Sequence, residues 1–126
     1  MRSRGRLELE ARMMAHMEYY TDGKVAICSL PQTWVEELGL SEDDLDSISG
    51  FPRTIEGVCI SVVIRNREPG KAKMSVRTAP GYNASDICRH LGGGGHAAAA
   101  GAVVEGTLED GKNAILHVLR EEKWIV

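Results

Sequence analysis

The chain has 126 residues, 43% apolar and 26% charged, with a formal net charge of −3. That is the make-up of one globular domain, long enough to bury a core without disulfide or metal staples. It excludes an apolar run able to span a bilayer and a secretory leader, because no apolar stretch follows the basic N-terminus. It also excludes a general electrostatic grip on duplex nucleic acid, leaving only a local basic patch open.

In chain order, residues 2–15 are expected to form a helix. Leu7, Ala11, Met14 and Ala15 fall at helical spacing, with Arg and Glu between them. Arg2, Arg4 and Arg6 read as a solvated helix start rather than a phosphate contact. Two strands follow over 17–20 and 24–29, joined by Thr21-Asp22-Gly23, and Asp-Gly is a strong hairpin signal. Pro31 opens a short helix whose apolar residues are Trp34, Val35 and Leu38, with Gly39 as its stop. Ser41 and Asp44 have the spacing of a capping box at a second helix start. Glu42, Asp43, Asp44 and Asp46 lack the glycine and ligand spacing of a calcium loop, so they read as first-turn acids.

Residues 58–65 alternate as a strand, 66–70 turn, and 71–78 return as its hairpin partner. Asn83 caps a helix over 84–91, with Ala84, Ile87, Cys88 and Leu91 on its apolar side. A strand over 101–105 and a helix over 110–122 close the chain. The expected architecture is an α/β sandwich with a mixed sheet of about five strands. Cys28, Cys59 and Cys88 are widely spaced and show no metal-ligand pattern, so they read as free thiols in a reducing compartment, with the cytoplasm as the expected location.

One stretch resists a generic reading. Gly92-Gly93-Gly94-Gly95-His96 is followed by four alanines and Gly101. Each glycine costs roughly 0.5–1 kcal/mol relative to alanine in regular structure. Four in a row are tolerable only where the backbone turns sharply or approaches something closely. The run lacks the Gly-Lys-Ser/Thr of a phosphate-binding P-loop, and it follows a helix rather than a strand, unlike a dinucleotide fingerprint. Two readings stay open from the residues alone. The N–H groups of Gly92, Gly93, Gly94 and Gly95 form a nest for an anion with His96 at its rim, or the run is a long helix cap and turn.

The run resembles the GGGGHxxAAG signature of the DHHA1 domain, the substrate-binding domain of the DHH phosphoesterases. The resemblance is strongest to the branch that hydrolyses nano-RNA and pAp. It extends to Thr54-Ile55-Glu56-Gly57-Val58, to Lys73-Met74-Ser75-Val76-Arg77 and to the helix before the glycines, so it covers most of the chain. It implies that residues 17–126 form the substrate-binding domain and that 1–16 are a linker-like helix from a preceding metal-bearing domain. Manganese and the catalytic residues would belong to that other domain, since no Asp-His-His occurs here. Arg77 matches the family's strand arginine, and residues 92–96 match its substrate loop. No catalytic or metal-ligating residue is expected in this chain.

The implied ligands are short RNA or nucleoside phosphates, and the implied partners are the DHH catalytic domain and a second copy in a homodimer, with no membrane. A tRNA-binding module like the C-terminal domain of alanyl-tRNA synthetases and a cyclic-dinucleotide phosphodiesterase domain are the alternatives. Ser75 shares a strand face with Arg77, and Tyr82 is the aromatic nearest the expected ligand side. His90 reads as solvated, and His16 and His117 have no evident partner.

Overall fold

A computed structural model describes residues 1–125. The elements are α1 (Arg4–His16), β1 (Glu18–Tyr20), β2 (Val25–Leu30), α2 (Gln32–Glu37), α3 (Glu42–Leu45), a 3₁₀ helix (Ile48–Thr54), β3 (Ile60–Arg65), β4 (Lys71–Thr78), α4 (Ala84–Arg89), β5 (Gly94–Gly95), β6 (Ala99–Glu105) and α5 (Leu108–Glu121). Six strands form one mixed sheet in the order β1-β2-β3-β4-β6-β5. Only β2 and β3 run parallel; the other neighbours are antiparallel. The expected five strands become six because two of the glycines themselves pair as β5.

The local signals act as their chemistry dictates. Thr21, Asp22 and Gly23 all take positive φ, at 54°, 53° and 82°, and close the β1–β2 hairpin. Ser41 and Asp44 exchange side-chain-to-backbone hydrogen bonds at 3.2 and 2.9 Å, a complete capping box. Asn83 Oδ1 accepts from Asp86 N at 3.0 Å and starts α4. A second capping box starts α5, where Thr107 and Asp110 exchange bonds at 3.1 and 2.8 Å.

The two faces of the sheet are covered unequally. On one face, α4 and α5 pack a core that includes Ile27, Ile60, Val62, Ile64, Met74, Val76, Ile87, Ile115 and Leu119. On the other, α1, α2, α3 and the 3₁₀ helix cover β2 and β3, through Leu9, Met13, Cys28, Leu30, Leu45, Ile48 and Val63, and the 3₁₀ helix also reaches β4. On that second face β4 is bordered by the 3₁₀ helix, and the part beyond it, made by β6 and β5, is open. Along β4 the consequence is a strict alternation: Ala72, Met74, Val76 and Thr78 are buried, while Lys71, Lys73, Ser75 and Arg77 point to the open side.

The apolar face expected for α1 is corrected. Leu9 and Met13 are fully buried, whereas Leu7 and Met14 are 48% and 45% exposed and Ala11 and Ala15 face solvent. The helix has two competing apolar stripes, and polar anchoring selects between them. Arg6 pairs with Glu10 at 3.0 Å and donates to the Asp44 and Asp46 carbonyls that end α3. Those bonds turn the Leu9–Met13 stripe onto the sheet. Arg6 is therefore a structural residue.

Both capping-box carboxylates are held below the usual carboxylate range. Asp44 is lowered chiefly by the Ser3 hydroxyl, and Asp110 chiefly by the Thr107 backbone N–H. A depressed carboxylate contributes stability above its unfolded value of about 4 and loses it as pH falls through the native one. Asp110→Ala, which removes the carboxylate itself, should lower stability at pH 7 in urea unfolding, and the gap from the parent protein should shrink below about pH 4. A gap that persists unchanged to pH 2 would contradict this account.

Candidate functional site

The helix α4 ends at Arg89, and the chain returns through Gly92 at φ +79°. Gly92 N donates to Arg89 O at 3.1 Å and Gly93 N to Cys88 O at 2.9 Å. Gly94 and Gly95 then pair with Gly101 and Ala100 of β6. His96 and Ala99 continue the ladder, exchanging backbone bonds at 2.8 and 3.3 Å. Residues 92–99 thus form a tight hairpin leg. Of the two readings open for 92–96, the cap and turn fits the backbone and the concave nest does not, because the N–H groups of Gly92, Gly93 and His96 are already bonded within the fold.

The glycines have a steric reason instead. A Cβ on Gly93 would lie 2.1 Å from the Gly101 carbonyl oxygen, and one on Gly95 would lie 2.7 Å from the Ala100 α-carbon. Both positions require glycine because β5 is pressed onto β6. Gly94 differs: a Cβ there would meet nothing within 4 Å. Packing does not explain that glycine. Its absent side chain keeps open the surface next to Gly101.

The hairpin tip is clamped. Ala97 O accepts from Thr78 Oγ1 and from Ala84 N, both at 2.7 Å, and Thr78 N donates to Ala98 O at 3.0 Å. These bonds tie the tip to the end of β4 and to the start of α4. His96 is exposed on a backbone held at three points.

The ladder registers decide what meets what. Arg77 pairs with Ala99 across β4 and β6, and Ala99 pairs with His96. Directly opposed residues share a face, so Arg77 and His96 stand on the open side at opposite ends of one row. Two inter-strand spacings separate them, about 10 Å. The neighbouring row is Ser75, Gly101 and Gly94. Between the cation and the imidazole the floor therefore carries a methyl group, a serine hydroxymethyl and two bare α-carbons. Arg77 is half-buried, and its Nη1 donates to its neighbour's carbonyl, Val76 O, at 3.2 Å. None of the ion pairs among the described residues involves it.

Chemically, this arrangement offers a planar guanidinium fork and an imidazole donor across a shallow, water-accessible floor. It fits an anion with a flat apolar body. It does not fit a metal: among the described residues, no group of three or more His, Cys, Asp or Glu side chains could hold one.

Other expected residues fall elsewhere. Tyr82 packs against Trp124, with ring centroids 5.3 Å apart, on the α4–α5 side of the sheet, so it does not face the Arg77–His96 row. His90 bonds Asp86 O at 2.8 Å and lies 3.3 Å from Glu122. His16 stacks on Trp34 at 4.9 Å. The thiols of Cys28 and Cys88 are pushed up by burial, to about 12 and about 11. Gly94 stands among the residues expected to bind; what sequence reasoning could not supply is the register that sets Gly94 opposite Gly101 and Ala99 opposite Arg77, which only the paired strands define. Lys73 and Arg65 escaped sequence reasoning, although the Lys-x-Lys-x-Ser-x-Arg alternation of 71–77 was a usable signal.

Residues 22–123 match the DHHA1 domain model. The bifunctional oligoribonuclease and PAP phosphatase NrnA of Thermus thermophilus is 36% identical over 115 residues, which are 90% of this chain and 34% of that protein. The chain thus spans about a third of the length of that relative. An exopolyphosphatase-related protein from Bacteroides fragilis superposes with a TM-score of 0.86 at 25% identity, over 98% of this chain and 36% of that one. The C-Ala domain of Aquifex aeolicus alanyl-tRNA synthetase shares the fold with a TM-score of 0.59 at 16% identity, over 83% of this chain and 95% of its own length. Among the described residues, no helix is long and apolar enough to cross a membrane.

The steric account separates two neighbouring glycines. Gly93→Ala should destabilise the domain by about 1–3 kcal/mol, the range of an overpacked interior position. Gly94→Ala should change thermal stability little. Equal losses for both variants in calorimetry would contradict the distinction.

Proposed function

The chain belongs to the DHHA1 domain family, and on that footing we propose that it binds the phosphate groups of short RNA or nucleoside phosphates for a DHH-type phosphoesterase. The observation that carries this reading is the placement of Arg77 and His96 at the two ends of one ladder row, on the uncovered face, with Ala99 between them. The chain's part is binding and orientation. Arg77 presents two parallel N–H groups to phosphate oxygens. His96 donates a further hydrogen bond from the clamped hairpin, more strongly when protonated. Gly94, Gly101 and Ala99 leave the floor smooth enough for a ribose or a base to lie against it. The metal-activated water would come from a catalytic domain carrying the Asp and His ligands that this chain lacks. This chain by itself would hydrolyse nothing.

The identity to an enzyme named for oligoribonuclease and PAP phosphatase activity supports the same ligand class. The likeness to the C-Ala domain rests on the fold alone and adds no reading of its own.

Titration with a diribonucleotide or with pAp, followed by amide NMR, tests the proposal. The amides of Gly94, Gly95, His96 and Ala99 should shift, and those of α5 should not. Arg77→Gln should weaken binding about tenfold, the loss expected for one charge-assisted hydrogen-bond pair. Shifts confined to the α5 side, or none at millimolar ligand, would sink it. Manganese-dependent hydrolysis by the pure chain would refute the division of labour.

A further inference from the structure

The open sheet face continues beyond Arg77. Two residues along β4 from it stands Ser75, and two further on Lys73, all on the same side. Lys73 is directly opposed to Arg65 in the β3–β4 register. Two cations facing each other across an antiparallel ladder repel, an arrangement that sheets ordinarily avoid. Relief is only partial, because Glu42 acts on Arg65 from beyond ion-pair distance. Among the described residues, no carboxylate lies within ion-pair distance of Arg65 or Lys73, whereas Arg67 reaches Glu42 at 3.4 Å and Lys71 reaches Glu68 at 3.5 Å. Arg65 is half-buried and its Nε is buried with no hydrogen-bond partner. A buried guanidinium donor without an acceptor, directly opposite a second cation, breaks two local rules at once, with only the longer-range charge of Glu42 to offset them.

The surroundings form a polar basin. Ser47, Ser49, Arg65, Lys73, Ser75 and Arg77 line a depression of about 270 Å³ between β4 and the chain that enters the 3₁₀ helix. Ser47, at its lip, is held at φ +57°, a left-handed conformation that costs a non-glycine residue energy. A second depression, of about 410 Å³, adjoins it and shares Arg65, Arg67 and Lys73. The surface is therefore continuous and predominantly basic, with Arg65, Arg67, Lys71, Lys73 and Arg77 against the carboxylate of Glu68, in a chain whose net charge is −3.

We propose that Arg65 and Lys73, with the hydroxyls of Ser47, Ser49 and Ser75, form a second phosphate subsite, so that this face binds single-stranded oligoribonucleotides through successive backbone phosphates. The inference rests on the reading of Arg77 and His96 as the first subsite. Arg77 and Lys73 are four residues apart on an extended strand, about 13 Å. One phosphate does not bridge that distance, and a chain of several nucleotides does. The Arg65 Nε donor and the repulsion between Arg65 and Lys73 are both answered by an anion set between them. A mononucleotide or pAp occupies the first subsite only, so affinity grows with chain length.

The test is fluorescence anisotropy on the full chain with a labelled diribonucleotide and a labelled pentaribonucleotide, in parent, Lys73→Gln, Arg65→Gln and Arg77→Gln proteins. The pentamer should bind at least tenfold more tightly than the dimer. Lys73→Gln or Arg65→Gln should remove most of that advantage and change dimer affinity less than twofold. The slope of log affinity against log salt for the pentamer should fall by about 0.7 per lost phosphate contact. Equal affinity for the two lengths, or equal losses for both lengths in Lys73→Gln, overturns the second subsite. Dimer binding that ignores Arg77→Gln overturns the first subsite instead. Lys73 is exposed on the strand, so its variant stays informative should Arg65→Gln fail to fold.

Discussion

Gly93 and Gly95 hold their α-carbons so close to β6 that an added methyl carbon would lie 2.1 Å from the Gly101 carbonyl oxygen or 2.7 Å from the Ala100 α-carbon. That approach lets β5 zip onto β6, and the zipped pair fixes the register in which His96 faces Ala99 and Ala99 faces Arg77. A one-residue slip would turn His96 to the opposite face of the sheet. The clamp from Thr78 and Ala84 onto Ala97 holds the same register from the other side. Backbone contact thus sets where the two donor side chains stand. Neither depends on the other to be positioned.

Uneven covering of the sheet complements this. The helices α4 and α5 bury one face along its length, which makes β4 rigid and leaves its alternate residues free to be polar. On the other face, the 3₁₀ helix reaches as far as β4 and the sheet beyond it is open. The cations of β3 and β4 then collect along the boundary between covered and uncovered sheet. An overall negative chain can present a basic face because its acids lie elsewhere: at the starts of α3 and α5, and on the helices, where they meet helix dipoles and capping groups.

Much of this was legible from local chemistry. Asp22-Gly23, Ser41 with Asp44, and Asn83 with Asp86 act within three residues of themselves, so their turns and caps follow from spacing alone. The glycine-histidine signature identified the family and pointed to residues 92–96. What stayed hidden depends on contacts distant in the chain. Which stripe of α1 is buried was decided by Arg6 reaching the carbonyls of α3, forty residues away in the chain. The role of the glycines was hidden because a nest and a tight strand pair ask for the same residue. The basic face was hidden because Arg65 and Lys73 become neighbours only once β3 and β4 are paired in register.

The sheet also ends in its two shortest strands, three residues in β1 and two in β5. An edge of that length offers too few unpaired backbone groups to template an incoming strand. A run of glycines and alanines, which in isolation would be an adhesive β-forming segment, is rendered self-limiting here. It is consumed in a single short ladder, which leaves residues 102–105 of β6 as the only stretch of that edge without a strand beside it among the described residues.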